Sequence, residues 1–325
     1  MREMTYTAAA LEGLTEEMER DPMIFVVGEG IGVRGGNWGT TVGLYDRFGP
    51  ARLRDSPITE RGFTGLCTGA AMTGSRPIVD YMFIDFGLDG MGELLNQTAK
   101  IQYMSDGRLK MPIVLRGCIG VGNSAATHHS GSYYSIFTHF PGFHVVVPTT
   151  PYDAKGLLKT AIRSDDPVVF MEHRSVLNTK GMVPEEEYLI PFGQARIART
   201  GTDVTVVAIG GAVNRALTAA DTLSGEGVSV EVVDPRTLAP LDIDSILASV
   251  HKTGRLLVVD EDYGPCGVAA EIGMQVMERG FDDLDAPVAR LTGAQAPVPY
   301  SAPLEQALVP NPDTIAQAIR DLMAA

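Results

Sequence analysis

Short runs of β-branched and apolar residues recur through the first half of the chain: IFVV at 24–27, PIVDYMF at 77–83, PIVLRG at 112–117, HVVVP at 144–148 and PVVFMEH at 167–173. Each is too short for a helix and shows little polar alternation, which predicts strands buried on both faces, as in a parallel sheet. Segments with helical spacing separate them, at 5–20, 60–73, 86–104 and, after a Thr-Pro start, 151–163. Strands alternating with helices in this way predict an α/β architecture.

Residues 174–193, RSVLNTKGMVPEEEYLIPFG, lose the alternation and gain Pro, Gly and an acidic run. Such a stretch predicts a linker over 176–193 between a first domain at 1–175 and a second at 194–325. The second half restarts the pattern with DVTVVAIG at 203–210, VSVEVVD at 228–234, RLLVVDED at 255–262 and VARLTG at 288–293, and a last helix is expected near 312–324. This predicts a second, smaller α/β domain.

Composition narrows the function. The chain has 325 residues, 45% hydrophobic and 20% charged, an ordinary balance for two domains with real cores. A formal net charge of −14 argues against nucleic acid or an anionic membrane as a partner, since both demand clustered Lys and Arg. Cys67, Cys118 and Cys266 are far apart, without disulfide or zinc spacing, and suit a reducing cytoplasm. The first 22 residues carry acids through a helical pattern, which predicts no secretory signal. No run of about 20 uncharged apolar residues occurs, so no spanning helix is expected.

Three stretches carry candidate chemistry. GIGVRG at 30–35 matches G-x-G-x-x-G, yet GNWGTT after it does not begin a helix that could receive a pyrophosphate, and a loop lining another pocket explains the glycines as well. His128 and His129 in ATHHSGSYY lack the spaced partners of a metal site, and Ser130 lacks a nucleophile elbow. A polar loop presenting imidazoles to a cleft, or a loop histidine bonded to backbone, remains. Glu60, in DSPITERGF ahead of the small-residue run GFTGLCTGAAMTG, is a carboxylate where an apolar helix should pack. It reads either as a helix-dipole acid or as a group with a use, because burying it unpaired is costly.

The order GEGIG, DSPITERGFTGLCTGAAMTGSRPIVDYMF, LLNQTAKIQYMS, THHSGS, PYDAKGLLKTAIRSDDPVVFMEH and VEVVDPRTLAPLD resembles the β subunit of the thiamine-diphosphate-dependent 2-oxo acid dehydrogenase component E1, from about residue 4 onward. The resemblance implies a pyrimidine-binding parallel-sheet domain followed by a transketolase C-terminal-like α/β domain. It also implies that Glu60, the glutamate of T-E-x-G-F, bonds N1′ of the cofactor's aminopyrimidine. A carboxyl group held out of water gains proton affinity and can share a proton with that nitrogen, which makes the 4′ nitrogen a base.

By the same resemblance Ile58 and Phe86 are apolar neighbours of the pyrimidine and Glu29 is a pocket acid near Glu60. His129 aligns with the histidine of H-S-Q, which helps position substrate or lipoyl group and handles protons; Gly131 stands where the family has Gln, and His128 is a rival for the role. The carbonyls around Ala161, Ile162, Ser164 and Asp166 match a potassium loop of some members, with Ser164 and Asp166 in place of Asp and Asn.

No G-D-G with a following Asn-Asn pair occurs in the chain. A pyrophosphate held through Mg²⁺ needs hard oxygen ligands, so the resemblance assigns that half of the site, and the Mg²⁺, to an α subunit in an α2β2 assembly. The 14 methionines and the Gly/Ala positions are then expected at close-packed interfaces, or equally in an intramolecular core. The implied reaction is cleavage or decarboxylation of a 2-oxo acid or acetoin, with reductive acylation of a lipoyl group on an acyltransferase, E2. The pocket segments GNWGTTVGLYDRFG, DFGLDGMGELLNQ and SAATHHSGS lean towards acetoin-dehydrogenase-like members. A split transketolase-like subunit, with Arg116 and Arg174 on a sugar phosphate, and a non-catalytic docking subunit are the rivals.

Overall fold

The computed structural model describes residues 1–325, which divide into two compact units: Met1–Ile119 with Ile136–Phe192, and Gly120–Ser135 with Gly193–Ala325. In the first unit six parallel strands pair in the order His144–Val146, Val168–His173, Val114–Ile119, Arg76–Phe83, Ile24–Gly28, Leu53–Asp55. Ile24–Gly28, Val114–Ile119 and Val168–His173 are buried at every position, as the unbroken apolar runs require when helices cover both faces.

Helices Tyr6–Arg20 and Pro151–Arg163 lie side by side, and Gly13 lets them close: a Cβ there would stand 3.3 Å from the Lys155 carbonyl oxygen. Lys155 and Lys159 are buried between them. Glu12 and Glu16 accept from Lys155 Nζ at 2.5 and 2.6 Å. Burial opposes the Lys155 charge, but these two carboxylates hold its pKa above the ordinary lysine value. Each unit has its own apolar core, as two α/β domains require.

The second unit holds five strands in the order Ala289–Gly293, Leu256–Tyr263, Val204–Ala208, Val230–Asp234, Arg196–Arg199, the last antiparallel to its neighbour. Helices Ala212–Ser224 and Pro312–Ala324 supply much of its core, including Ala216, Leu223, Ile315 and Ile319.

Three placements differ from the sequence expectation. The stretch expected as one helix at 86–104 is helical through Thr98 but irregular, with a 3-10 turn at Leu88–Gly90 and a π turn at Leu94–Thr98, and it resumes at Ile101–Met104. Gly87, Gly90 and Gly92 weaken a continuous helix there. The expected linker belongs to the first unit up to Phe192 and forms a strand, Lys180–Val183, antiparallel to Arg2–Thr5. Residues 120–135 belong to the second unit although they sit deep in the first half of the sequence.

Candidate active site

Glu60 is the first residue of the helix Glu60–Met72, directly after the turn through Pro57, Ile58 and Thr59. Phe63, Thr64, Cys67, Thr68 and Ala71 follow it on one buried face, at the spacing of an amphipathic helix. Thr64 and Tyr81 share a 2.7 Å hydrogen bond, and Thr68 and Thr98 another of the same length, so polar pairs lock this face to its neighbours. Glu60 itself is 6% exposed, and its carboxylate accepts no hydrogen bond from this chain. Its oxygens are not sealed from the surface, which leaves them open to a ligand or partner.

The charge of Glu60 acts on Glu29, which follows the strand Ile24–Gly28. Burial, and after it the charge of Glu60, raises the Glu29 pKa above that of an ordinary glutamate. Two carboxyl groups that repel in a shared site drive one towards its protonated form.

Phe86 comes from the turn Ile84–Gly87 at the end of strand Arg76–Phe83. That turn runs on to Gly90, where an added Cβ would stand 3.2 Å from Thr64 Oγ1 and 3.7 Å from the Glu60 carbonyl. Phe86 is half-buried and meets Phe83 edge-on at 5.9 Å; Trp38 meets Phe83 edge-on at 5.7 Å, and the Arg174 guanidinium lies 5.3 Å from the Phe83 ring centre. Ile58 is 81% exposed. Glu29, Glu60, Ile58 and Phe86 all follow the carboxyl ends of parallel strands, the edge where open α/β sheets take their ligands. Sequence reasoning missed Trp38 and Phe83. Trp38 is the single tryptophan, and only its edge-on meeting with Phe83 marks it.

These residues fit the pyrimidine half of a thiamine site: a mostly buried carboxyl group unpaired within the chain, a second acid whose pKa is raised beside it, and apolar side chains in Phe86 and Ile58. GIGVRG does not fit a dinucleotide. The chain after it stays in turns, and the first helix, Leu44–Phe48, begins only after Gly43.

His128 and His129 lie on the short 3-10 turn Thr127–His129 and belong to the second unit, whereas Glu60 belongs to the first. His128 is exposed and His129 half-buried. Ser130 is buried and its hydroxyl donates to the Ala126 carbonyl at 2.7 Å. Gly131, where the family has Gln, has a local cause: a Cβ there would stand 1.9 Å from the Tyr133 ring.

The Ala161–Asp166 turn ends the helix Pro151–Arg163. Arg76 Nη1 donates to the carbonyls of Ile162 and Ser164 at 3.1 and 2.7 Å, and Ser164 N donates to that of Ala161 at 3.2 Å. The guanidinium thus serves C-terminal carbonyls of the helix that a cation loop would use. Asp166 Oδ2 lies 3.7 Å from His144 Nε2. Arg116, a rival's sugar-phosphate ligand, is 2% exposed and held by both oxygens of Glu172. Arg174, the other, is 6% exposed beside Phe83.

Residues 2–180 match the family Transketolase, pyrimidine binding domain, and residues 193–315 match Transketolase, C-terminal domain. The chain is 44% identical to the acetoin:2,6-dichlorophenolindophenol oxidoreductase subunit beta of Cupriavidus necator, over 99% of this chain and 98% of that one. It is 42% identical to the 2-oxoisovalerate dehydrogenase subunit beta of Bacillus subtilis, over 99% of both. It is 41% identical to the pyruvate dehydrogenase E1 component subunit beta of Rhizobium meliloti, over 98% of this chain and 70% of that one. Among solved structures, a split-gene transketolase, described as an inactive beta4 tetramer, shares the fold at a TM-score of 0.80 and 19% identity, covering 99% of this chain and 98% of that one. The chain belongs to the transketolase-type family that contains the β subunits of acetoin, pyruvate and branched-chain 2-oxo acid dehydrogenases.

Proposed function

We propose that this chain is the β subunit of a thiamine-diphosphate-dependent E1 enzyme, joined to an α subunit in an α2β2 assembly, and that it acts on acetoin or a 2-oxo acid. The nearly buried carboxylate of Glu60, unpaired within its own chain and set against Glu29, carries the proposal. Thiamine diphosphate, when bound, supplies the electron sink for cleaving the carbon–carbon bond beside the substrate carbonyl. Glu60 holds the proton at the N1′ ring nitrogen. Glu29, whose pKa burial and the Glu60 charge raise, is the second acid there. Phe86 and Ile58 cover the ring and keep water from Glu60.

His129, with His128 as its rival, moves protons at the substrate and lipoyl group and positions the acyl acceptor on E2. The phosphates and Mg²⁺ are held mainly by the α subunit. A potassium ion at the 161–166 turn would share two carbonyls with Arg76, and the chemistry proposed does not need one. The 44% identity to a subunit named for acetoin and a dye acceptor supports acetoin as a candidate substrate, beside pyruvate and 2-oxoisovalerate, whose subunits match at 41–42%. The cytoplasm is the proposed compartment; no helix is long and apolar enough to cross a membrane.

Glu60→Gln in the reconstituted α/β complex tests this. Turnover should fall by orders of magnitude with assembly retained, for both acetoin and 2-oxo acids. Unchanged turnover would leave only a docking role for the chain.

A further inference from the structure

The histidine loop is built from backbone conformations that side chains avoid. Asn123, Ser124 and Ala126 have φ of 61°, 53° and 62°, between Gly120 at 85° and Tyr133 at 46°. Non-glycine residues avoid the left-handed region, so such a loop persists only where its surroundings over-determine it. Successive N–H groups in this kind of backbone turn inward and form a concavity that takes an anion.

Two buried carboxylates accept from backbone N–H groups of this loop. Val121 N donates to Glu261 Oε1 at 2.5 Å. Gly122 N and Ser124 N donate to the two oxygens of Glu305 at 3.0 and 3.3 Å. Glu305 is 3% exposed and comes from the short helix Ala302–Ala307, far along the chain, while Glu261 pairs with Arg215 at 2.8 Å. All of these residues belong to the second unit. A cavity of about 630 Å³ lies beside the clamp, lined by Val121–Ser124, Arg215 and Glu305 among others. Thr127 Oγ1, next to His128, donates to the Val298 carbonyl at 2.9 Å and ties the far end.

We propose that Glu305 is a positioning residue for the reaction: its carboxylate, with that of Glu261, clamps the backbone of residues 121–124 and thereby fixes where His128 and His129 stand. The proposal rests on the reading that one of these histidines serves acyl transfer. Glu305 touches no reacting atom. Its effect passes through loop geometry, where a shift of about 1 Å can cost about 10²-fold in rate.

The test uses the assembled α/β complex with Glu305→Ala and, should that variant fail to assemble, Glu305→Gln, whose amide keeps one acceptor oxygen and loses the other. Amide hydrogen exchange across 121–131 should accelerate by about tenfold or more in the alanine variant and by less in the glutamine variant. Lipoyl acylation should fall by about 10–10²-fold, and by more than reduction of an artificial dye, which needs the histidine at the substrate but bypasses the acyl acceptor. Adding His129→Ala, or His128→Ala, should then cost little more, because both changes disable one unit. Unchanged exchange, equal losses in both assays, or losses that simply multiply would overturn the proposal. Should the native complex acylate no lipoyl group at all, the functional reading fails, and the exchange measurement alone decides whether the clamp exists.

Discussion

Glu29 and Glu60 are coupled acids: after burial, the charge of Glu60 is what raises the Glu29 pKa. A carboxyl group whose folded pKa exceeds its unfolded value contributes stability at low pH, and that stability is lost as pH rises through the folded pKa. Glu29→Gln removes the group that repels Glu60. The variant should therefore be more stable than the native chain at pH 7, with the gain shrinking below the ordinary carboxylate range. Thermal unfolding of both at several pH values measures this; a variant equally stable at every pH would show that the two acids do not interact.

Arg116 and Glu172 form a two-pronged ion pair at the centre of the first sheet, with Arg116 2% and Glu172 4% exposed. Removing one partner strands a charge in a place without water. Glu172→Ala should cost about 3–5 kcal/mol, whereas replacing both residues by apolar ones of similar volume should cost far less. Denaturant midpoints at an unchanged slope give the comparison. Equal losses in the single and double variants would mean that the pair is not the source of the cost.

Asp260 is wholly buried, and burial first, then the neighbouring charges of Asp262 and Glu261, push its pKa up to about 7 against the opposing hydrogen bond from Tyr134. Its ionised form destabilises the fold, so stability linked to this group is present below about pH 4 and declines as pH rises to about 7. Asp260→Asn should flatten that decline and raise the melting temperature at pH 8 more than at pH 5. A slope identical to the native one would place the titration elsewhere.

Cys67 and Cys118 are buried, and burial pushes both thiols up to about 12, while Cys266 is exposed. Reactivity follows the thiolate. A maleimide at pH 8 should label Cys266 quickly and the other two only after denaturant is added. Comparable labelling of all three in the folded protein would contradict the burial.

Much of the site was legible along the chain because the elements that build it are local. The apolar runs at 24–27 and 77–83 are strands by their own composition, and the acid of ITERGF stands at a helix start for reasons contained in a few neighbouring residues. The Thr-Pro start at 150–151 likewise marks its helix: Thr150 caps it by accepting from Asp153 N. The expected helix at 86–104 is present but irregular, passing through 3-10 and π turns where three glycines weaken the regular α form.

Other features depend on residues far apart in sequence and have no local signature. Nothing near Ser130 announces that residues 120–135 fold with the second unit, because the acids that hold them, Glu261 and Glu305, lie more than a hundred residues later. Nothing near Ser164 foretells that Arg76 takes its carbonyl. Short-range pattern specifies strands, helices and the position of Glu60, since backbone preference and hydrophobic period act over a few residues. Which carboxylate is left unpaired, which is clamped by backbone and which is neutralised emerges only when distant segments bring their charges into a common low-dielectric space, where a few ångströms change an interaction by several kcal/mol.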